Sequence, residues 1–396
     1  MAISHAGSRG FTGIPATGRR YTDLLALYKQ VWSETPASQL AWAFLKREQP
    51  EYLTIATNNR CNLSCSHCYL QTDDRDEPLT YAQWRRFFGA KLSSALQPRR
   101  VCFVGREPLL DSLALDVGGA IREVLPQTKV GLITNGTLLS RWERGLADMN
   151  PDFLDISLDG SEEVHDTIRG RGAYRRTMRN IAALPSDLRR RVSLLCSINR
   201  LNFFDSSVLV SMASELGIAR VVFGFFQRTP LAPQDLSLDA DQAQYFFNDL
   251  LEFAKAGSGV DILLDVDFPV PTVMAELVSR GWVMPMTLQI DSGGDLFVRI
   301  LDSDAGALHV RLGVVSSNIW HSVRISAEGL LMGSDDALDP STYGDHRIAS
   351  IVDVGADFLV QKLWEGRLSK RNYEMVTASI GATRGILSRS TQSSAA

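Results

Sequence analysis

The sequence predicts an α/β protein built on a parallel β-sheet. Between Tyr52 and Phe226, short apolar runs alternate with longer amphipathic segments, which makes six successive βα units. Parallel strands joined by helices need right-handed crossovers, so the sheet is either an open doubly wound sheet or a partial barrel. In both architectures the functional side chains gather at the C-terminal ends of the strands.

Apolar runs and capping residues place these units along the chain. The predicted strands are Leu53 to Thr57, Arg100 to Val104, Val130 to Thr134, Phe153 to Leu158, Val192 to Ser197 and Ala219 to Phe226. The predicted helices are Tyr81 to Leu96, Asp111 to Val124, Asp205 to Leu216 and Ala240 to Ala254. Thr80 is a typical N-cap residue and Gly217 a typical C-terminal stop, which supports two of these helices.

The two ends of the chain differ from this middle part. Residues 1–50 are expected to form a flexible arm and an N-terminal helix from Thr22 to about Arg47, and residues 51–256 the parallel-sheet domain. Residues 257–396 turn β-rich in DLFVRILDSDAGALHVRLGV and WHSVRISAEGLLMGSDD, which predicts a smaller α+β domain. The Ser-rich tail SRSTQSSAA is expected to be disordered.

The composition narrows the class of partner. Of 396 residues, 45% are hydrophobic and 22% charged, as in ordinary globular proteins. The 41 Lys and Arg nearly balance the 45 Asp and Glu, so no nucleic acid or anionic membrane is expected and a small molecule or peptide is favoured. With no long apolar run and no apolar segment near the start, the expected location is the cytoplasm.

Three of the five cysteines form the pattern Cys61-x3-Cys65-x2-Cys68, directly after the first predicted strand. A zinc site is the alternative, but structural zinc usually takes four protein ligands and no second pair follows at suitable spacing. Three thiolates on a four-iron cluster leave one iron open to bind a substrate or cofactor. The pattern therefore favours an iron-sulfur cluster with an open position.

This spacing, with His67 just before the third cysteine, resembles the radical S-adenosylmethionine (radical SAM) family. GREP at Gly105 to Pro108 is similar to the family's GGEP segment, although Arg106 replaces its second glycine. ITNGTLL from Ile133 and ISLDG from Ile156 resemble its third and fourth strand ends. HDTIRG, which follows the fourth strand, is similar to the segment at the same place in the branch of the family that carries SPASM or twitch C-terminal domains.

The resemblance implies a partial (β/α)6 TIM-type barrel, one 4Fe-4S cluster and S-adenosylmethionine as cofactor. An electron from the cluster would cleave S-adenosylmethionine to a 5'-deoxyadenosyl radical, which abstracts a substrate hydrogen atom. The implied site residues are Cys61, Cys65 and Cys68 for the cluster, His67 near the adenine, Gly105, Glu107 and Pro108 for the methionyl amino group, and Asn135, Ser157 and Asp159 around ribose or substrate. For Ser157 and Asp159 the alternative is a pair that caps the turn after a strand.

The C-terminal region resembles a SPASM or twitch domain that has lost its auxiliary-cluster ligands. No cysteine follows Cys196, and Gly333 to Asp336, where a ligand is expected, are Gly, Ser and Asp. Family members that oxidise a substrate commonly pass an electron to an auxiliary cluster, so a redox-neutral outcome is favoured. Cys196, near the end of the fifth strand, is then a candidate catalytic hydrogen-atom donor, and the alternative is a small core residue.

The sequence thus predicts a radical SAM enzyme, with redox-neutral epimerisation of a sugar or aminocyclitol natural product as the favoured reaction. An external electron donor such as flavodoxin or ferredoxin is the expected partner. Two alternatives stay open: radical modification of a ribosomally made peptide, and a non-catalytic zinc-binding or scaffold protein.

Overall fold

The structure is a computed structural model that describes residues 52–68, 77–89, 98–226, 234–256, 259–266, 288–290, 296–303, 306–312, 322–332 and 347–352. The predicted N-terminal arm and helix, the segment Gly333 to Asp336 and the Ser-rich tail lie outside the described residues.

Thirteen strands of the described residues form one sheet. They are β1 Tyr52–Ile55, β2 Arg100–Phe103, β3 Lys129–Thr134, β4 Phe153–Ser157, β5 Val192–Ile198, β6 Arg220–Phe225, β7 Asp261–Val266, β8 Leu288–Ile290, β9 Leu296–Ser303, β10 Gly306–Leu312, β11 Ser322–Ile325, β12 Leu330–Met332 and β13 Arg347–Ser350. Each of the first six lies within two residues of its predicted bounds, because an uninterrupted apolar run specifies a strand that is covered by helices.

The order across the sheet is β13-β12-β11-β1-β2-β3-β4-β5-β6-β7-β10-β9-β8. Neighbouring strands from β11 through β1 to β7 and on to β10 are parallel. The edge strands β13 and β8 do not pair with each other, so the described sheet is open, which confirms the predicted partial barrel.

The described helices are α1 Tyr81–Phe87, α2 Leu113–Val124, α3 Glu143–Met149, α4 Glu162–Arg169, α5 Ala173–Ala183, α6 Ser186–Arg189, α7 Ser206–Glu215 and α8 Ala240–Ala256, with 3-10 turns at Pro108–Leu110 and Leu139–Trp142. Thr80 caps α1 in a capping box with Gln83, as its position predicted. Apolar side chains of helices and strands share one hydrophobic core. No described helix is both long and apolar enough to cross a membrane.

Strands beyond residue 256 extend the same sheet at both ends. β7 pairs with β6, and β11 pairs with β1 in the register Leu53 to Val323. Main-chain hydrogen bonds therefore cross the predicted domain boundary at residue 257. The division into a barrel domain and a separate C-terminal domain stays a prediction.

Successive side chains of β4 and β5 point alternately to the face that packs against helices and to the barrel interior. Leu154 and Ile156 are fully buried in the hydrophobic core. Asp155 lies between them and Ser157 follows Ile156, so both point to the opposite, interior face. Because Ser157 pairs with Leu195 in parallel register, odd-numbered residues of both strands share the interior face.

Candidate active site

The three clustered cysteines lie on the loop that follows β1, and hydrogen bonds tie this loop to the end of β2. Asn58 Nδ2 donates to the main-chain oxygen of Glu107 at 3.1 Å. In return the main-chain N–H of Glu107 donates to the oxygen of Arg60 at 3.1 Å. Gly105 has φ +133, and a Cβ there would lie 3.2 Å from Ala56 Cβ, so glycine permits the close approach of the two strand ends.

A second set of hydrogen bonds joins the cysteine loop to the turn after β3. Asn135 Nδ2 donates to Asn62 Oδ1 at 2.9 Å, and Asn62 Nδ2 donates to Thr137 Oγ1 at 2.8 Å. Asn135 Nδ2 also lies 3.9 Å from Cys61 Sγ in donor geometry. Asn135 was predicted to contact ribose or substrate; in the structure its amide contacts the cysteine loop itself.

The Glu107 carboxylate is 1% exposed and lies beneath the cysteine loop. It accepts hydrogen bonds from Leu109 N at 3.0 Å, Thr134 Oγ1 at 2.7 Å and Asn135 N at 2.9 Å. Burial raises the pKa of Glu107, while these three donors lower it by stabilising the anion. A carboxylate has about four acceptor positions, so one on Oε2 is left for a further donor.

A buried ion pair closes the other side of the cysteine loop. Arg169, the last residue of α4, donates from Nε to Asp159 Oδ2, and Asp159 is 1% exposed. Burial opposes ionisation of Asp159, but the Arg169 charge beside it lowers the pKa of the carboxyl to about 2. No role was predicted for Arg169 from the sequence, although the HDTIRG segment contains it.

Two histidines lie beside this pair, His165 buried and His67 half-buried, and each has a ring nitrogen without a hydrogen-bond partner among the described residues. Burial lowers the pKa of His67 and of His165 to about 4, so both are neutral near pH 7. His165 Nδ1 accepts from the main-chain N–H of Asp159 at 3.1 Å, which leaves the proton on Nε2. Within the described residues, His165 Nε2 and His67 Nδ1 have no hydrogen-bond partner.

The cysteine loop fits a cluster with three thiolate ligands. Cys61, Cys65 and Cys68 are half-buried and reduced. Burial raises the pKa of the Cys65 thiol to about 11, so ligation needs a metal charge to displace the proton. No three His, Cys, Asp or Glu side chains of the described residues converge to hold a single metal ion. A 4Fe-4S cluster does not need its three thiolates to meet at one point, because each thiolate binds a different iron.

The structure places Cys196 in the hydrophobic core. It is 4% exposed and, two residues after Leu194, lies on the face of β5 that packs against helices. Asn202 Nδ2 lies 3.4 Å from Cys196 Sγ and also donates to the main-chain oxygen of Asp159 at 3.1 Å. The thiol therefore lies near the Asp159–Arg169 pair, with Asn202 contacting both Cys196 and Asp159. Its predicted role as hydrogen donor stays a prediction.

The other predicted residues lie at the strand ends around the loop. Pro108 is buried at the start of the 3-10 turn that follows GREP. Ser157, at the end of β4, is half-buried on the interior face. Together with Glu107, Asn135 and Asp159 they surround the cysteine loop at the C-terminal edge of the parallel strands, the edge expected from the sequence.

The described strands form an open parallel barrel, and three free thiols lie at its C-terminal edge. The family model of the Radical SAM superfamily matches residues 55–197, which include the cysteine loop and β2 to β4. Residues 55–197 are therefore a radical SAM domain, and the proteins of that superfamily use a 4Fe-4S cluster and S-adenosylmethionine as cofactors.

Three curated relatives share part of this sequence. The chain is 28% identical over 204 residues to Fe-coproporphyrin III synthase of Methanosarcina barkeri, a match over 50% of each chain. It is 30% identical over 193 residues to pre-heme d1 synthase of Dinoroseobacter shibae, over 47% of this chain and 46% of that one. It is 31% identical over 112 residues to GTP 3',8-cyclase of Heliobacterium modesticaldum, over 27% and 34%. The chain thus spans half or less of the length of these relatives.

Solved structures share the fold over a larger part of the chain. SuiB of Streptococcus suis superposes with a TM-score of 0.59 at 13% identity, over 85% of this chain and 71% of that one. The protein anSMEcpe, solved with bound AdoMet, superposes with a TM-score of 0.55 at 16% identity, over 84% of each chain. At these identities the likeness establishes the fold, and the reaction has to be argued from the site.

Proposed function

We propose that this chain is an enzyme that binds one 4Fe-4S cluster through Cys61, Cys65 and Cys68 and S-adenosylmethionine beside it. The observation that carries the proposal is the set of hydrogen bonds that fixes a three-cysteine loop against polar strand ends. When bound, the cluster supplies the electron that cleaves S-adenosylmethionine to a 5'-deoxyadenosyl radical. The remaining work of this chain is to hold the cofactor and the substrate and to exclude water.

We assign the cofactor contacts to the predicted residues. His67 is neutral, and its Nδ1 has no partner in the described part of the chain, which supports a role beside the adenine. The open acceptor position of Glu107, with Gly105 and Pro108, suits a methionyl ammonium. Ser157, on the interior face, and Asp159, in the segment that follows β4, are assigned to ribose or substrate.

For the substrate we propose a hydroxyl-rich small molecule, a sugar or an aminocyclitol, transformed without net oxidation. Ser157 and Ser197 are the support, since half-buried hydroxyls on the interior face match such a substrate by hydrogen bonding. No cysteine follows Cys196, so this chain offers no thiolates for an auxiliary cluster in its C-terminal part. Epimerisation is the particular reaction if a thiol returns the hydrogen atom.

A peptide substrate is the second candidate. The structure of SuiB has been solved with its precursor peptide SuiA, and that of anSMEcpe with a peptide. Both share this fold, and this likeness supports a peptide as the second candidate substrate. An external low-potential electron donor is needed in either case.

The first experiment is anaerobic reconstitution, followed by iron counting and electron paramagnetic resonance (EPR) with and without S-adenosylmethionine. About four irons per chain and a spectrum changed by the cofactor are expected. Dithionite should then yield 5'-deoxyadenosine, and Cys65→Ala should abolish it. Cys102→Ala, which keeps the three ligands, is the matched control. Bound zinc without iron would overturn the proposal in favour of a scaffold protein.

The second experiment compares substrate classes by the rate of 5'-deoxyadenosine formation with a panel of aminocyclitols and a panel of short peptides. Stimulation by aminocyclitols, with one deuterium taken up from D2O and no change in product oxidation state, supports epimerisation. Stimulation by peptides alone transfers the proposal to the second candidate.

A further inference from the structure

The end of α4 packs directly against the cysteine loop. The main-chain N–H of Ser66 donates to the oxygen of Ile168 at 2.8 Å, and Ser66 Oγ donates to the same oxygen at 3.3 Å. In the sequence, Cys65 directly precedes Ser66, and Arg169 directly follows Ile168. The Arg169 side chain is 10% exposed and is held on Asp159.

Arg169 and Asp159 carry opposite charges at this contact. Their side chains are 10% and 0% exposed, so both charges are shielded from water. The hydrogen bonds from Ser66 to the Ile168 oxygen bring Cys65, the residue before Ser66, beside the end of α4 that carries Arg169. In such surroundings a fixed charge changes the energy of any other charge strongly.

We propose that Arg169, held in place by Asp159, is a positioning residue that raises the reduction potential of the cluster on Cys65. This inference rests on the proposed function. Reduction adds one electron and no proton, delivered by a low-potential one-electron donor, and so adds one negative charge. A buried cation beside a ligating sulfur stabilises that charge, and a buried anion destabilises it.

The test is the midpoint potential of the reconstituted cluster, measured by EPR-monitored dithionite titration without S-adenosylmethionine. Arg169→Gln should lower the equilibrium constant for reduction at least tenfold, a shift of about 59 mV for one electron. Asp159→Asn, which leaves the arginine charge, should shift the potential the opposite way. Arg169→Lys keeps the charge and should lie between the wild type and Arg169→Gln.

Arg100→Gln is the matched control, because Arg100 also pairs with a buried aspartate, Asp155, but within the sheet away from the cysteine loop. It should change the equilibrium constant less than twofold. The inference would be overturned if Arg169→Gln and Asp159→Asn shifted the midpoint potential in the same direction. It would also be overturned if both variants changed the equilibrium constant for reduction less than twofold.

Two further outcomes are distinguishable. If Arg169→Gln fails to bind iron, Asp159→Asn and Arg169→Lys still decide the sign. If the wild-type chain binds no iron, the proposed function has failed, whereas an iron-loaded wild type with unmoved variants refutes only the role of Arg169.

Discussion

Glu107→Gln is expected to destabilise the metal-free protein by about 2 kcal/mol. The carboxylate accepts two hydrogen bonds on Oε1, from Leu109 and Thr134, and one on Oε2, from Asn135. A glutamine has a single carbonyl oxygen, so its best orientation keeps the first two. Its NH2 group then faces the N–H of Asn135, donor against donor.

The magnitude follows from that lost contact. A hydrogen bond to a charged acceptor contributes about 1.5–3 kcal/mol, and a buried donor left unsatisfied costs about 1–3 kcal/mol. Removing a charge from a site that is 1% exposed offsets part of this cost, which leaves about 2 kcal/mol. Glu107→Ala loses all three bonds and leaves a cavity, so about 4 kcal/mol is expected.

The assay is urea denaturation of the reduced, metal-free chain, followed by far-UV circular dichroism. Glu123→Gln is the control, because Glu123 is exposed and lies 3.8 Å from Arg85, and about 0.5 kcal/mol or less is expected there. A Glu107→Gln variant as stable as the Glu123 control would refute the reasoning, since the three buried bonds would then contribute nothing.

Three further predictions concern the surroundings of the cysteine loop. Asn135→Ala removes the amide that holds the loop near Cys61, and faster iron loss to a chelator is expected than from the wild-type protein. Stability should fall as the pH drops from 6.5 to about 4, because the unfolded chain takes up a proton that folded His165, with its pKa lowered by burial, does not. His165→Asn, which keeps an acceptor for the Asp159 N–H, should reduce that slope by up to about 1.4 kcal/mol per pH unit in urea titrations at pH 7, 6 and 5. If Cys196 is the hydrogen donor, Cys196→Ala should keep 5'-deoxyadenosine formation and lose product, whereas unchanged product formation would establish it as a core residue.

Local patterns in the sequence were sufficient for the barrel strands. Each of the six predicted runs became a strand, because a strand covered by helices is specified by its own apolar residues. The pairing of β11 with β1 was not predictable in this way. Thr54 and its register partner Arg324 are far apart in sequence, and nothing local specifies a parallel pairing over such a distance.

The site was predicted by residue type more reliably than by role. Asn135 was recognised as a polar residue at a strand end, but its hydrogen bond to Asn62 depends on where the cysteine loop lies. Arg169 was visible only as part of a motif, since an arginine on a short helix is usually solvated. Its burial with Asp159 depends on the packing of α4 against the cysteine loop, and no sequence pattern encodes that packing.

The hydrogen bonds around the cysteine loop bear on how a cluster is acquired. Asn58, Asn62 and Ser66 each attach the loop to a different element, namely β2, the turn after β3, and α4. A loop ordered before the metal arrives has already lost conformational freedom on folding, so binding costs less entropy. The same hydrogen bonds fix the loop that carries Cys61 and Cys65 relative to the acceptor position of Glu107. The proposed sites for the two cofactors thus share one hydrogen-bonded framework, and a change at Asn135 or Glu107 should affect both.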